Sequence, residues 1–65
     1  SDLNYLLGRE GIASTDLRPA GKGDFAGIEL DLLSEGAYIK KGSSSVISNI
    51  SANRLTVRVV EEKKE

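Results

Sequence analysis

Alternation of apolar and polar side chains near the end of the chain constrains its fold more than any other feature. In SVISNI (45–50), the apolar residues Val46 and Ile50 are four positions apart. In RLTVRVV (54–60), the apolar residues Leu55, Val57 and Val59 occupy every second position. This period is typical of β-strands with one buried face. We therefore predict two antiparallel strands here, with Val46 and Ile50 pointing inward and Val46 opposite Val59.

The loop between these strands fixes their register. If Ala52 and Asn53 form a two-residue loop, Ile50 lies opposite Leu55 and all the paired apolar residues share one face. A type I′ turn would need positive φ at both loop positions, which suits Ala52 poorly. We therefore predict a type I turn in which only Asn53 adopts the left-handed conformation.

Three further segments carry strand patterns. GIASTDL (11–17) is predicted to be the first strand, and KGDFA (22–26) and IELDLL (28–33) are predicted to form a hairpin around Gly27. Leu30 and Leu32 share one face of that hairpin. Gly23 stands where an apolar strand residue is expected, and indicates a weak strand or a bulge.

Five short strands without a long helix predict an all-β fold, a small Greek-key barrel. The oligonucleotide/oligosaccharide-binding (OB) barrel and the SH3-like barrel both fit this count, and we favour an OB-like barrel. The helix that often follows the third strand of an OB barrel is not expected, because residues 34–44 are too few and too glycine-rich.

A chain of 65 residues has room for one domain. We divide it into a lead-in segment (1–7), a barrel (8–60) and a charged tail (61–65). In the lead-in, Leu3, Leu6 and Leu7 recur at helical spacing; Ser1 or Asp2 is a candidate N-cap, and Leu6 or Leu7 is expected to pack on the barrel. No apolar run reaches transmembrane length, and the abrupt beginning suggests a fragment of a longer protein.

Composition disfavours several functions. Nine Lys/Arg against ten Asp/Glu give a net charge of -1, whereas nucleic-acid binders usually carry a basic excess. Three aromatic residues, Tyr5, Phe25 and Tyr38, make a poor stacking platform for bases. With no Cys and no His, no thiolate or imidazole is available as a metal ligand or general base. We predict no catalytic residues, no metal and no cofactor.

The stretch TDLRPAGKGD (15–24) contains the only proline of the chain. Arg18 precedes Pro19 and should be extended, so the first strand is predicted to reach this point and to turn tightly through RPAG. Asp16 and Arg18 would then project from the same face. They form either a recognition site or a surface ion pair of little energetic consequence.

A second loop motif, SEGAYIKKG (34–42), surrounds one apolar residue with polar ones. Ile39 is predicted to close one end of the barrel, while Tyr38 lies on the outside and Lys40 stands at the turn. Gly42, like Gly21 in the preceding motif, is expected to need a backbone conformation outside the β region. The spacing also occurs in biotinyl and lipoyl carrier domains, but the lysine is in the wrong place for that function.

The segment from Gly8 to Val60 resembles the C-terminal domain of the NfeD family. The residues that carry this resemblance are Gly8, Gly11, Thr15-Asp16-Leu17-Arg18-Pro19, Gly21, Gly27, the LDLLSEG run at 30–36, Ile39, Gly42 and the closing valine-rich hairpin. It implies an OB-like barrel that follows membrane-spanning segments in the full-length bacterial or archaeal protein, so that the whole is membrane-associated. It also implies a partner of the stomatin/prohibitin/flotillin (SPFH) type.

The functional hypothesis is a non-enzymatic protein-interaction module that docks onto SPFH proteins or assists their assembly. The candidate partner surface consists of Arg18, Lys22, Tyr38 and Lys40, near the two glycine-containing loops. The alternative is binding of single-stranded nucleic acid or oligosaccharide on the OB face. A third interpretation is a purely structural spacer.

Overall fold

The computed structural model describes residues 3–60. A short 3₁₀ helix at Asn4–Leu6 precedes five β-strands. The strands are β1 (Glu10–Ala13), β2 (Ala20–Phe25), β3 (Ile28–Ser34), β4 (Ser44–Ser51) and β5 (Arg54–Val59). The candidate N-cap residues Ser1 and Asp2 and the charged segment 61–65 lie outside the described residues.

The strands close into a barrel in the order β1-β2-β3-β5-β4, with β4 returning to pair with β1. All neighbouring pairs are antiparallel except β3 and β5, which run parallel. A fourth strand that comes back to lie beside the first is the Greek-key arrangement. The predicted all-β, five-stranded Greek-key barrel is confirmed.

Among residues 3–60, nine buried apolar side chains fill the barrel. They are Leu6, Ala13, Leu17, Phe25, Leu32, Ile39, Ile47, Leu55 and Val57. Leu6 belongs to this cluster although it precedes the first strand, whereas its neighbour Leu7 is 54% exposed. The lead-in therefore covers part of the core through Leu6.

The first strand is shorter than the predicted 11–17, because it ends at Ala13. Beyond it, the N–H groups of Ser14 and Thr15 both donate to the carbonyl of Lys22, at 2.8 and 3.2 Å. Two consecutive donors on one acceptor interrupt the ladder, as at a bulge, and turn the chain away from β2. The predicted tight turn at RPAG is therefore wrong. Residues 14–19 form a longer connection that includes a cis peptide bond at Arg18-Pro19.

The β4–β5 hairpin has the predicted loop but not the predicted register throughout. Ile50 lies opposite Leu55 as expected, but an irregularity between Ile47 and Asn49 shifts the pairing beyond it. Ile47, which is fully buried, takes the inward position predicted for Val46, and Val46 lies opposite Arg58. The extra residue lets the long strand bend with the barrel wall.

The turn that joins β4 to β5 is of type I′, because φ is +51° at Ala52 and +65° at Asn53. The predicted type I turn is therefore wrong. The type I′ backbone matches the right-handed twist of the flanking strands, and closure of the barrel imposes it even on an alanine. The β2–β3 turn has the same signs of φ at Ala26 and Gly27.

The glycines of β2 serve close packing. Gly21 and Gly23 both lie within the unbroken β2–β3 register, so neither the non-β geometry predicted for Gly21 nor the bulge predicted at Gly23 occurs. A methyl group at Gly21 would lie 2.6 Å from the carbonyl oxygen of Asp16, which leaves no room for a side chain. Gly42, by contrast, has φ of +91°, as predicted for a turn.

Candidate functional site

Two loops at one end of the barrel are joined by an isolated antiparallel bridge between Leu17 and Ile39. The N–H of Leu17 donates to the carbonyl of Ile39 at 2.8 Å, and the N–H of Ile39 donates back at 3.2 Å. Both side chains point into the core and are almost completely buried. The bridge thus anchors the 14–19 connection to the 35–43 connection through apolar burial and paired backbone groups.

The bridge also determines which side chains meet on the surface. Neighbouring residues in an antiparallel pair run in opposite directions, so Arg18 lies opposite Tyr38 and Asp16 lies opposite Lys40. These four side chains project away from the core because Leu17 and Ile39 project into it. We call this group (Asp16, Arg18, Tyr38 and Lys40) the bridge cluster.

Contacts within the bridge cluster are mainly electrostatic. The guanidinium carbon of Arg18 lies 5.2 Å from the centre of the Tyr38 ring, within cation–π range. Arg18 Nη2 is 3.9 Å from Asp16 Oδ2, and Asp16 Oδ1 accepts the backbone N–H of Lys41 at 2.8 Å. The Asp16 carboxylate therefore contacts the Arg18 guanidinium in its own loop and a backbone N–H of the other loop.

The same contacts affect ionisation. The pKa of Asp16 lies below its usual value, chiefly because the Lys41 N–H stabilises the carboxylate, with further help from the Tyr38 hydroxyl and the charges of Arg18 and Lys40. The pKa of Arg18 is raised, first by Tyr38 and then by the Asp16 carboxylate. Both groups are therefore charged at neutral pH.

The hydroxyl of the last residue of β3 shapes the start of the second loop, just before Tyr38. Ser34, at the end of β3 and largely buried, donates its hydroxyl to the carbonyl of Ala37 and accepts the N–H of Gly36 at 3.1 Å. A short polar side chain that bonds nearby backbone groups stabilises a tight turn. This turn places Tyr38 opposite Arg18.

Lys22, the remaining residue of the predicted surface, makes a different interaction. Its Nζ lies 3.2 Å from Asp31 Oδ1, across the β2–β3 ladder. Its backbone N–H donates to Thr15 Oγ1 at 3.0 Å, so the residue borders the 14–19 connection. The structure therefore brings Arg18, Tyr38 and Lys40 together and places Lys22 at the margin.

Asp16 was paired with Arg18 from the sequence, but its link to the second loop was not foreseen. The available signal is the equal spacing of two motifs, polar-Leu-Arg at 16–18 and Tyr-Ile-Lys at 38–40, each with an apolar residue in the middle. Such triplets indicate two short extended segments with one buried residue each. Nothing in the spacing says that they pair with each other.

The bridge cluster is well suited to binding another protein. Tyr and Arg are enriched at protein interfaces because they combine a large contact area with directional hydrogen bonding. The side chain of Arg18 is 72% exposed and Tyr38 is 50% exposed, so both are accessible. Within residues 3–60, no group of three acidic, His or Cys residues could hold a metal ion.

Stacking of nucleic-acid bases would need aromatic residues side by side. The two tyrosines occupy different places. Tyr5 borders a depression that it shares with Phe25 and Ile28, whereas Tyr38 contacts Arg18. This arrangement gives no specific support to the nucleic-acid alternative. In the part of the chain that the structure describes, no helix is long and apolar enough to cross a bilayer.

Comparisons with known proteins place this barrel in a family. The sequence profile described as "NfeD-like C-terminal, partner-binding domain" matches residues 3–58. The fold is similar to that of the C-terminal domain of stomatin operon partner protein 1510-C from Pyrococcus horikoshii, with a TM-score of 0.87 and 19% sequence identity. That match covers 95% of this chain and 98% of the other. No curated protein sequence matches the chain.

The family match covers nearly the whole sequence, and the closed five-stranded barrel agrees with it. The family description supports a role in binding a partner protein. The chain belongs to the family of NfeD-like C-terminal, partner-binding domains.

Proposed function

We propose that this barrel is a non-enzymatic docking module that binds an SPFH-type membrane protein through the bridge cluster. Arg18 and Tyr38 form the centre of the proposed contact, Asp16 and Lys40 its polar margin, and Lys22 an outer position. In the full-length protein, segments outside this chain would anchor the module at the membrane. Docking would promote assembly of the partner.

The observation that carries the proposal is the Arg18–Tyr38 contact on the Leu17–Ile39 bridge. The bridge holds the two large side chains in place before any partner arrives, so less conformational entropy is lost on binding. A preformed Tyr–Arg pair with a charged rim is the composition found at the centre of many interfaces. The family description and the stomatin operon partner with the same fold support a protein ligand.

The bridge cluster offers binding groups but no catalytic pair. It contains one cation over an aromatic ring and one carboxylate already bonded to a backbone N–H. Nucleophilic catalysis needs an activated nucleophile next to a base, and the cluster has neither. Recognition is therefore the function that these four side chains support.

The test is a binding measurement between the full-length protein and an SPFH-type membrane protein of the same organism. The double variant Arg18→Ala, Tyr38→Ala should weaken binding by at least about tenfold, because two central interface residues are truncated. A control, Arg54→Ala with Leu7→Ala, removes one arginine and one large exposed side chain from elsewhere on the surface and should bind normally. Equal affinity of the two double variants would refute the assignment of the surface.

A titration with single-stranded DNA at low salt examines the alternative. Saturable binding that weakens steeply as salt is added would favour nucleic acid as the ligand, because phosphate contacts release counterions. We expect no such binding.

A further inference from the structure

One edge of β3 is left without a partner strand. The strand pairs with β2 from Ile28 to Leu33, but with β5 only at Leu32–Ser34. Among the described residues 3–60, no strand pairs with the other edge of β3 at positions 28–31. An unpaired strand edge is a template for a further strand.

The backbone groups at this edge can be assigned from the register. Phe25 and Ile28 flank a two-residue turn and form a hydrogen-bonded pair, and such pairs alternate along an antiparallel ladder. Ile28 and Leu30 therefore direct their N–H and C=O groups toward β2. The N–H groups of Glu29 and Asp31 point away from β2, toward the open edge.

Acidic side chains occupy the outer face of this hairpin. Asp24 lies directly opposite Glu29 in a non-hydrogen-bonded pair, where side chains are closest. Two like charges at such a position destabilise the sheet. Asp31 has a cationic partner in Lys22, but no cation in the described part of the chain pairs with Glu29. A cation supplied from outside would relieve the repulsion between Asp24 and Glu29.

The inner side of the same segment is apolar. Ile28 and Leu30 point the same way as the buried Leu32, yet Ile28 is 53% exposed and Leu30 is half-buried. Tyr5, 62% exposed, borders the same depression as Ile28. Between residues 28 and 31, the edge thus has an acidic side, an apolar side and free backbone donors.

We propose that this edge binds an extended segment of a partner protein in which basic and apolar residues alternate. The segment adds a strand to β3 and receives hydrogen bonds from the N–H groups of Glu29 and Asp31. Its basic side chains lie near Glu29 and Asp31, which share the outer face of β3, and its apolar side chains cover Ile28. This surface is separate from the bridge cluster, so the inference does not depend on the proposed function.

Charge argues against two other occupants. A second copy of the barrel paired through the same edge would bring Glu29 and Asp31 against their own counterparts, which is unfavourable. A nucleic acid would bring phosphates against three carboxylates. A basic, strand-forming peptide fits both the backbone and the charge.

The test uses a short synthetic peptide of alternating lysine and valine as the probe. Amide hydrogen exchange, followed residue by residue by NMR, should show at least about tenfold slower exchange at Glu29 and Asp31 when the peptide is present. Peptides with glutamate in place of lysine, or with a central proline, should leave these amides unchanged. Slowing at other strands instead, or none at saturating peptide, would overturn the proposal.

Two variants examine the two parts of the recognition separately. Glu29→Lys should weaken peptide binding by about fivefold by reversing one cross-strand charge contact. Glu29→Pro removes one edge donor without removing a hydrogen bond to β2, and should abolish protection at Asp31. Circular dichroism and thermal unfolding would verify that each variant is folded.

Matched controls separate this site from the bridge cluster. Glu35→Lys makes the same charge change just beyond the other end of β3, where the Glu35 N–H already donates to the carbonyl of Val57, and should bind the peptide with an affinity close to that of the unchanged protein. The Arg18→Ala, Tyr38→Ala variant should also bind the peptide normally. Equal weakening by Glu35→Lys and Glu29→Lys would show general charge attraction and refute the strand-addition site. The proposal would also be contradicted if the protein formed a dimer without peptide and Glu29→Pro abolished that dimer. A second copy of the barrel would then occupy the edge of β3.

Discussion

Leu17 and Ile39 are hydrogen-bonded to each other in both directions, although 21 residues separate them and neither belongs to a strand of the barrel. Their side chains are 0% and 1% exposed. One pair of residues therefore contributes to the core and also aligns the two surface loops. Stability and the geometry of the bridge cluster depend on the same contact.

Truncation of Leu17 should be costly for this reason. We expect Leu17→Ala to lower the free energy of unfolding by about 2–5 kcal/mol, because it leaves a cavity in a small core. Leu7→Ala, at a position that is 54% exposed, serves as the control and should change it by less than about 0.5 kcal/mol. Urea denaturation measures both. Similar effects of the two substitutions would contradict the assignment of Leu17 to the core.

Lowering the pH should remove the contribution of the Asp16 carboxylate to the free energy of unfolding. Its pKa is lowered in the folded state, so its stabilising effect is complete above the unfolded value and disappears as the pH falls through the folded pKa. The difference in unfolding free energy between the unchanged protein and Asp16→Asn should therefore be larger at neutral pH than at acid pH values below the lowered pKa of Asp16. Urea denaturation across this range measures it. A difference that stays constant with pH would rule out the carboxylate charge as its cause.

A side chain at Gly21 should disturb both the barrel and the bridge cluster. The added methyl group of Gly21→Ala would press on the Leu17 side chain and lie 2.6 Å from Thr15 Oγ1. We expect a loss of at least about 1 kcal/mol, as for other overpacked positions. Ala20→Val adds volume at the neighbouring exposed position and should be nearly neutral. Thermal unfolding distinguishes them, and an unchanged melting temperature for Gly21→Ala would contradict the close approach.

The β4–β5 turn offers a stabilising substitution. Ala52 has φ of +51°, a conformation that costs most residues about 1–2 kcal/mol and that asparagine adopts more readily. Ala52→Asn should therefore raise the free energy of unfolding by about 0.5–1 kcal/mol. Ala37→Asn, in a loop without positive φ at that position, should give no gain. A loss of stability in Ala52→Asn would argue against the type I′ turn.

The hairpins were predictable because their patterns are local. The alternation of side chains around Gly27 predicted the hairpin at 22–33, and the two-residue loop at 52–53 predicted the pairing of Ile50 with Leu55; the structure contains both. The same reasoning does not distinguish between Val46 and Ile47. Both are apolar, so the sequence permits either to face inward, and the curvature of the closed barrel selects Ile47 through an irregularity in the strand.

The residues of the candidate surface were selected one by one from the sequence, and their arrangement was not predicted. Arg18, Tyr38 and Lys40 were selected as exposed polar or aromatic loop residues, and they do lie together. The predicted first strand, however, would have kept residues 14–17 on the barrel wall. Its early end at Ala13 allows the chain to reach Ile39, and that step depends on the shared acceptor at Lys22.

The sequence by itself determined the class of fold, the number of strands, the positions of the two hairpin loops and the family, because these depend on periodicity, turn residues and motifs within short stretches. Only the tertiary structure decided which loops meet, which of two adjacent apolar residues enters the core, and which edge of β3 stays open. These features depend on barrel closure, a long-range condition to which every strand contributes. Local preferences of a few tenths of a kcal/mol cannot specify it.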